Sequence, residues 1–424
     1  MPNKAKWTIL TYIAAHNNLQ QLGMKSLHEI LNVGSNAEVV LTALYDGPSG
    51  AARYVMGAPG AVSWQEPLGS FDSGDPDELI TTAKLLFANN PADRYGLVLW
   101  SHGTGWVPSE IETVAAEARP GSKTDAAEIH ERAGMPGNVT LFRSTLRALL
   151  KPEKPRERAI LFDDGTGHSL DTIELARVAN EIAQAVGQPL DLLGMDACLM
   201  GNLEVAYEVR KSARFLVASE ELVPGHSWPY EDIFKSLQSE PDQTGAELAP
   251  AIVNRYVSYY TANPPGAGDV TKVAFDLSKI DELVSPVDQV AEQLVSAMDT
   301  YGEVLWSVQH ATRDQETRQG KRRPNKFEFH LWDVGSVIKG LAAAPETSAQ
   351  LRQSCETALS SFTPGEGPIL AAGHTGAWFD ETSGFSTYLM PPQEQRISPA
   401  YSQLAYARET HWYEMLQAYQ QHFN

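Results

Sequence analysis

Gly194-Met195-Asp196-Ala197-Cys198-Leu199-Met200-Gly201 places one of only two cysteines, Cys198, at the end of an apolar, strand-like run that begins at Leu190. A second run, Gly96-Leu97-Val98-Leu99-Trp100, ends in Ser101-His102-Gly103-Thr104-Gly105. A cysteine and a histidine thus each stand where a strand gives way to a turn. In an open parallel sheet such ends line the crevice where ligands bind. A thiol needs a base or a nearby positive charge to ionise near neutral pH, and an imidazole supplies either.

Working outward, strand-like and helix-like segments alternate. Strands are predicted at 7–15, 37–46, 95–101, 159–164, 190–197, 214–220 and 272–277, and helices at 17–32, 75–89, 138–150, 171–186, 200–212 and 243–260. Asp171 with Glu174 three residues on reads as a capping box, and Asp75-Pro76-Asp77-Glu78 as a helix start with proline in the first turn. This alternation implies an α/β fold, a mainly parallel sheet with helices on both faces. The interval 103–137 breaks the pattern, being long and rich in Gly, Pro, Ala and charge, and loops this long in a compact domain are usually functional or disordered. After a charged connector at 313–326 come helices at 331–344 and 347–361, strand-like pieces at 368–379 and 384–390, and a closing helix at 399–422. The expected division is a core over 1–300 and a smaller C-terminal α+β subdomain over 301–424.

The chain has 424 residues, 33 basic and 53 acidic, for a net charge of −20. This charge opposes binding to nucleic acid or an anionic membrane surface. No apolar run approaches the ~20 residues of a membrane helix. The basic start leads into Trp7-Thr8-Ile9-Leu10-Thr11-Tyr12-Ile13, which reads as the first core strand and not a signal peptide. Two widely spaced cysteines form neither a disulfide scaffold nor a metal knuckle, so a reducing, cytoplasmic setting is the expectation. No HExxH or paired CxxC occurs, so no metal is expected, and no cofactor is required.

Cysteine is among the most buried residue types, so the bland reading of Cys198 is packing. Its neighbours favour chemistry. Gly194 and Gly201 leave room for a substrate backbone, and Asp196 lies on the same face of an extended strand. The helix expected at 200–212 would turn its N-terminal amides toward a thiolate or oxyanion. Gly103 and Gly105 argue for close approach of backbone or ligand beside His102. The backbone N–H groups of Gly103 and Cys198 are the candidate oxyanion hole, and His102 with Cys198 the candidate dyad. Cys355 reads as packing.

At these residues the chain resembles the clostripain family of cysteine peptidases, whose fold is caspase-like. The resemblance runs nearly the whole length. It rests on 7–15 with Asn17-Asn18-Leu19, on 75–79, on Leu97-Val98-Leu99-Trp100-Ser101-His102-Gly103 and on Asp196-Ala197-Cys198-Leu199-Met200. It continues through Ala218-Ser219-Glu220-Glu221, Trp228-Pro229-Tyr230 and 383–389. It implies an endopeptidase that cuts proteins or peptides after Arg or Lys, with Cys198 as nucleophile and His102 as general acid/base. Asp196 would sit at the bottom of the pocket for the residue before the cut, pairing with guanidinium or ammonium. Trp228 is a candidate wall of the substrate groove. Family members commonly mature by a cut between the two catalytic residues. Arg119, Lys123 and Arg132 fit such an activation cleavage, by the enzyme itself or an upstream activating protease. Where the family usually has an acid after the first strand, this chain has His16. Calcium serves some relatives, but no acidic Ca²⁺ loop is evident here. The alternatives are a catalytically silent interaction module that binds basic peptides or a partner protein, and a cysteine-dependent acyl transferase.

Overall fold

Among the described residues, nine strands form one sheet. The computed structural model describes residues 4–106, 160–263, 269–318, 329–392 and 397–424. In chain order the described elements begin with β1 (Ala5–Ala14), α1 (Gln20–Val33), β2 (Val39–Gly47), β3 (Gly50–Met56), β4 (Val62–Leu68), α2 (Pro76–Asn89) and β5 (Ala92–Trp100). There follow α3 (Thr172–Val186), β6 (Leu192–Asp196), α4 (Leu203–Val209), β7 (Phe215–Ala218), α5 (Tyr230–Ser239), α6 (Gly245–Ala262) and β8 (Thr271–Asp276). The rest comprises α7 (Ile280–Ser296), α8 (Met298–Arg318), β9 (Leu331–Asp333), α9 (Val334–Ala343), α10 (Ala349–Ser360), β10 (Ile369–His374), β11 (Ser386–Tyr388), α11 (Ala405–Glu409) and α12 (Trp412–Phe423).

The central strands β2, β1, β5, β6 and β7 pair in parallel. Antiparallel strands extend both flanks, β3 and β4 on one side, β8 and β10 on the other. Parallel strands must be covered on both faces, and successive side chains of a strand point to opposite faces. In β1, Leu10, Tyr12 and Ala14 enter one apolar core while Trp7, Ile9 and Ile13 enter the other. Sequence-predicted caps start the helices as read. The Asp75 side chain accepts from the Asp77 amide, and Asp171 with Glu174 makes the full capping box.

One expected strand is altered and one hairpin is new. The strand expected at 159–164 is reduced to Ile160, which bridges to Gly103 and Leu170. The β3–β4 hairpin was not foreseen. β4 is largely exposed and carries no inward apolar alternation to signal it. After residue 300, β10 joins the main sheet by pairing with β8. Elsewhere this part docks through Glu204 of α4. Its buried Oε1 accepts from Thr387 Oγ1 at 2.8 Å, Tyr388 N at 2.9 Å and Tyr401 OH at 2.9 Å. The expected helix at 138–150 lies outside the described residues, among which no helix is long and apolar enough to cross a membrane.

Candidate active site

β5 and β6 are parallel neighbours whose last register pair is Trp100↔Asp196. His102 and Cys198 each stand two residues beyond it, so the topology carries both to the same edge of the sheet. A Cβ built on Gly103 would lie 2.4 Å from the Cys198 carbonyl oxygen and 3.0 Å from Ala197 Cβ. Only a glycine lets these two turns pack so closely. Leu199, directly after the cysteine, has φ 63°, a left-handed conformation that costs energy for a side chain of this kind. Its amide donates to Glu221 O at 3.2 Å, and Asn202 Nδ2 donates to its carbonyl at 2.9 Å. The turn that presents Cys198 is therefore held from both sides.

The thiol is buried. Sγ accepts from the Val223 amide at 3.3 Å and faces the Val223 carbonyl at 3.9 Å. Burial pushes this thiol up to about 11. His102 is 1% exposed, with Nε2 3.0 Å from Asn18 Oδ1 and its ring edge-on to Phe162 at 6.1 Å. Burial pushes the imidazole down to about 3. At neutral pH the geometry therefore holds a thiol and a neutral imidazole, because an enclosed apolar setting disfavours both charged forms. The expected helix assistance is not provided. α4 begins only at Leu203, and the Asn202 side chain takes the Val205 amide.

Asp196 is 3% exposed, yet it lines a narrow cleft together with Trp100, Cys198, Val223, Gly225 and Ser227. Its Oδ2 accepts from Ser227 Oγ, from the Trp228 amide at 3.1 Å and from Tyr230 OH at 2.8 Å. Its Oδ1 has no hydrogen-bond partner among the described residues. Burial raises this carboxyl above the usual range, opposed by Lys272 and by the three donors.

Trp228 does not wall the pocket. It is 1% exposed and fills the slot left by Gly194, where a Cβ would lie 2.7 Å from the indole. The missing side chain of the strand glycine admits the ring to the core. Lys272 of β8 was not foreseen. It is 1% exposed, and Nζ lies 4.0 Å from the Tyr256 ring centroid and 5.1 Å from that of Trp228. Burial pushes its ammonium down to about 7, opposed by Asp196 and Cys198. A lysine inside the apolar strand Thr-Lys-Val-Ala-Phe was the available signal.

A second group forms at the neighbouring end of the sheet, where His16 Nδ1 lies 3.5 Å from Asp163 Oδ1 and 3.9 Å from Asp46 Oδ2. No sequence motif foretells it, because its members come from three segments. Arg119, Lys123 and Arg132 lie outside the described residues.

The profile of the clostripain family matches residues 11–117 and 147–419. Clostripain of Hathewaya histolytica is 36% identical over 174 residues, 39% of this chain. That match spans 25% of the relative's length. A secreted C11 cysteine protease from Bacteroides thetaiotaomicron, "iotapain", superposes with TM-score 0.63 at 15% identity, covering 97% of this chain and 100% of that one. The same comparison with a secreted C11 cysteine protease of that organism in complex with an irreversible peptide inhibitor gives 0.60 at 18% identity, over 97% and 99%. An inactive zymogen C11 protease from Parabacteroides distasonis gives 0.61 at 18%, over 97% and 99%.

Proposed function

The chain belongs to the clostripain family, and from that premise we propose that it is a cysteine endopeptidase cutting proteins or peptides after Arg or Lys, made as a zymogen. The observation that supports the specificity is Asp196, a residue lining the same cleft as Cys198, whose buried Oδ1 has no hydrogen-bond partner among the described residues. Such an oxygen is costly to bury unless a donor arrives. A guanidinium or ammonium of the residue before the cut supplies that donor with charge assistance.

In this reading His102 takes the Cys198 proton, and the thiolate attacks the peptide carbonyl. The N–H groups of Gly103 and Cys198 hold the oxyanion. The imidazolium then protonates the leaving amine as the C–N bond breaks. Water, deprotonated by the same imidazole, hydrolyses the thioester and releases the acid. Latency fits these neutral groups: a thiol raised to about 11, with the imidazole meant to activate it lowered to about 3, holds little thiolate at neutral pH. Activation by cleavage between His102 and Cys198, by the enzyme itself or another protease, would act by opening this enclosed setting. Two free, buried cysteines accord with a reducing, cytoplasmic location.

Asp196→Asn tests the pocket. Arg and Lys substrates should lose turnover while a leucine substrate does not. Equal loss on all three would remove the specificity role. The deep burial of Cys198 also favours one second reading, a silent module that binds basic peptides. That reading predicts peptide binding with no turnover after nicking.

A further inference from the structure

We propose that His16, Asp46 and Asp163 form a site for one divalent transition-metal ion of the Zn²⁺ class, which clamps the loop at 160–168 to the ends of β1 and β2. Ala14 and Asp46 are register partners at the ends of these strands, and His16 follows two residues after Ala14. The loop reaches them through the Asp164 amide, which donates to His16 O at 2.8 Å, and through Asn17 Nδ2, which donates to Phe162 O at 2.7 Å. Gly165 lies on the imidazole itself, since a Cβ there would sit 2.5 Å from His16 Cε1. The ring is thus wedged between strand end and loop, with Nδ1 turned toward both carboxylates.

The spacing decides between an ion pair and a metal. An imidazolium donating to a carboxylate stands about 2.7–2.9 Å from it. The two separations here, 3.5 and 3.9 Å, are too long for that. They suit two ligands of a common ion. Bonds of about 2.1 Å at tetrahedral angles leave donor atoms about 3.4 Å apart. Asp46 is 2% exposed, and its Oδ2 has no hydrogen-bond partner among the described residues; nor has His16 Nδ1. Both orphaned atoms face the same gap. Asp163 is pre-oriented, Oδ1 accepting from the amides of Gly165 at 2.7 Å and Thr166 at 3.1 Å, Oδ2 from Ser73 N at 3.2 Å and Oγ at 3.4 Å. The surroundings are rich in negative charge: Tyr12 feels Asp46, Glu78, Asp72 and Asp163 together.

The donor set selects the ion. Calcium takes six to eight oxygens, whereas one imidazole nitrogen with two carboxylates suits Zn²⁺ and its neighbours. The consequence for the molecule is positional. The clamped loop bridges Gly103 through Ile160 and lays Phe162 against His102, and Asn18 adjoins the Asn17 that holds it. An ion here would brace the face on which His102 rests.

The test uses the full chain carrying Cys198→Ala, so that the thiol is not a competing ligand, stripped with EDTA and dialysed. Zn²⁺ is titrated by calorimetry, and stoichiometry is read by native mass spectrometry. One equivalent should bind and raise the melting temperature, and His16→Ala and Asp46→Asn should each weaken binding about tenfold or more. No binding to the parent, binding retained in both variants, or preference for Ca²⁺ over Zn²⁺ would overturn the site. Circular dichroism of the metal-free variants checks their folding. Should one not fold, the parent and the other variant still decide. Because heat and mass are read on a chain lacking the thiol, the result is independent of the peptidase reading.

Discussion

Two adjacent stretches of one sheet edge solve the same problem in opposite ways. At the ends of β5 and β6, His102 and Cys198 are enclosed and driven to their neutral forms. At the ends of β1 and β2, Asp46, Asp163 and His16 gather with two orphaned polar atoms facing each other. Parallel strands end in polar turns in both places. What differs is the company. Around the thiol, burial outweighs the Val223 amide and the charges of Asp196, Lys272 and Glu221, so desolvation dominates. Carboxylates dominate the other group, so the local field favours a cation. Asp196 stands between these extremes, with one oxygen saturated by three donors and the other buried with no hydrogen-bond partner among the described residues. A buried charge therefore points to a ligand where its partners are incomplete, and to latency where burial alone acts.

Substitutions sharpen this contrast. The largest effect is expected at Asp196: Asp196→Asn should lower kcat/KM for Arg and Lys peptides about a hundredfold, since a charged partner is removed from a buried pair. A comparable loss on a leucine peptide would erase the difference between Asp196 and a merely structural acid. Iodoacetamide labelling of Cys198 in the uncut chain should run about two orders of magnitude slower than for a free thiol at pH 7. It should rise about tenfold per pH unit toward the titration of the raised thiol near 11. Rapid labelling at pH 7 would contradict the enclosed, neutral dyad. Gly103→Ala should destabilise the chain by about 2 kcal/mol, because its Cβ meets backbone at 2.4 Å. A denaturant midpoint equal to that of the parent would show that the two turns are not packed as described.

A smaller effect concerns Lys272. Its folded-state value, about 7, lies below that of the unfolded chain. Above pH 7 the unfolded state then binds a proton that the native state lacks, so stability rises with pH, by at most about 1.4 kcal/mol per unit. Between pH 7 and 9 the parent should gain stability relative to Lys272→Met. Parallel curves would mean that the ammonium is not suppressed. Smallest of all, Lys84→Ala, which breaks an exposed pair with Glu181 at 2.9 Å, should change stability by less than about 0.5 kcal/mol.

The placement of His102 and Cys198 just beyond neighbouring strand ends was legible because each follows a continuous apolar run into a turn, and parallel pairing then sets the two ends side by side. The capped starts of α2 and α3 were legible because capping is local. What escaped was what long-range packing decides. Trp228 reads like a groove aromatic, but Gly194 admits it to the core. Lys272 sits in a strand that only the folded sheet brings beside Asp196, and His16, Asp46 and Asp163 meet only when three segments converge. α7 and α8 also went unread, falling where the strand–helix alternation ends.

The most direct measurement is turnover of fluorogenic peptides that differ only in the residue before the cut (Arg, Lys, Asp and Leu). It uses the parent and Cys198→Ala, each before and after limited nicking between His102 and Cys198. The account predicts Arg and Lys cleavage that increases on nicking and is abolished in Cys198→Ala. Cleavage that survives in Cys198→Ala, or no cleavage of any peptide by the nicked parent, would contradict it.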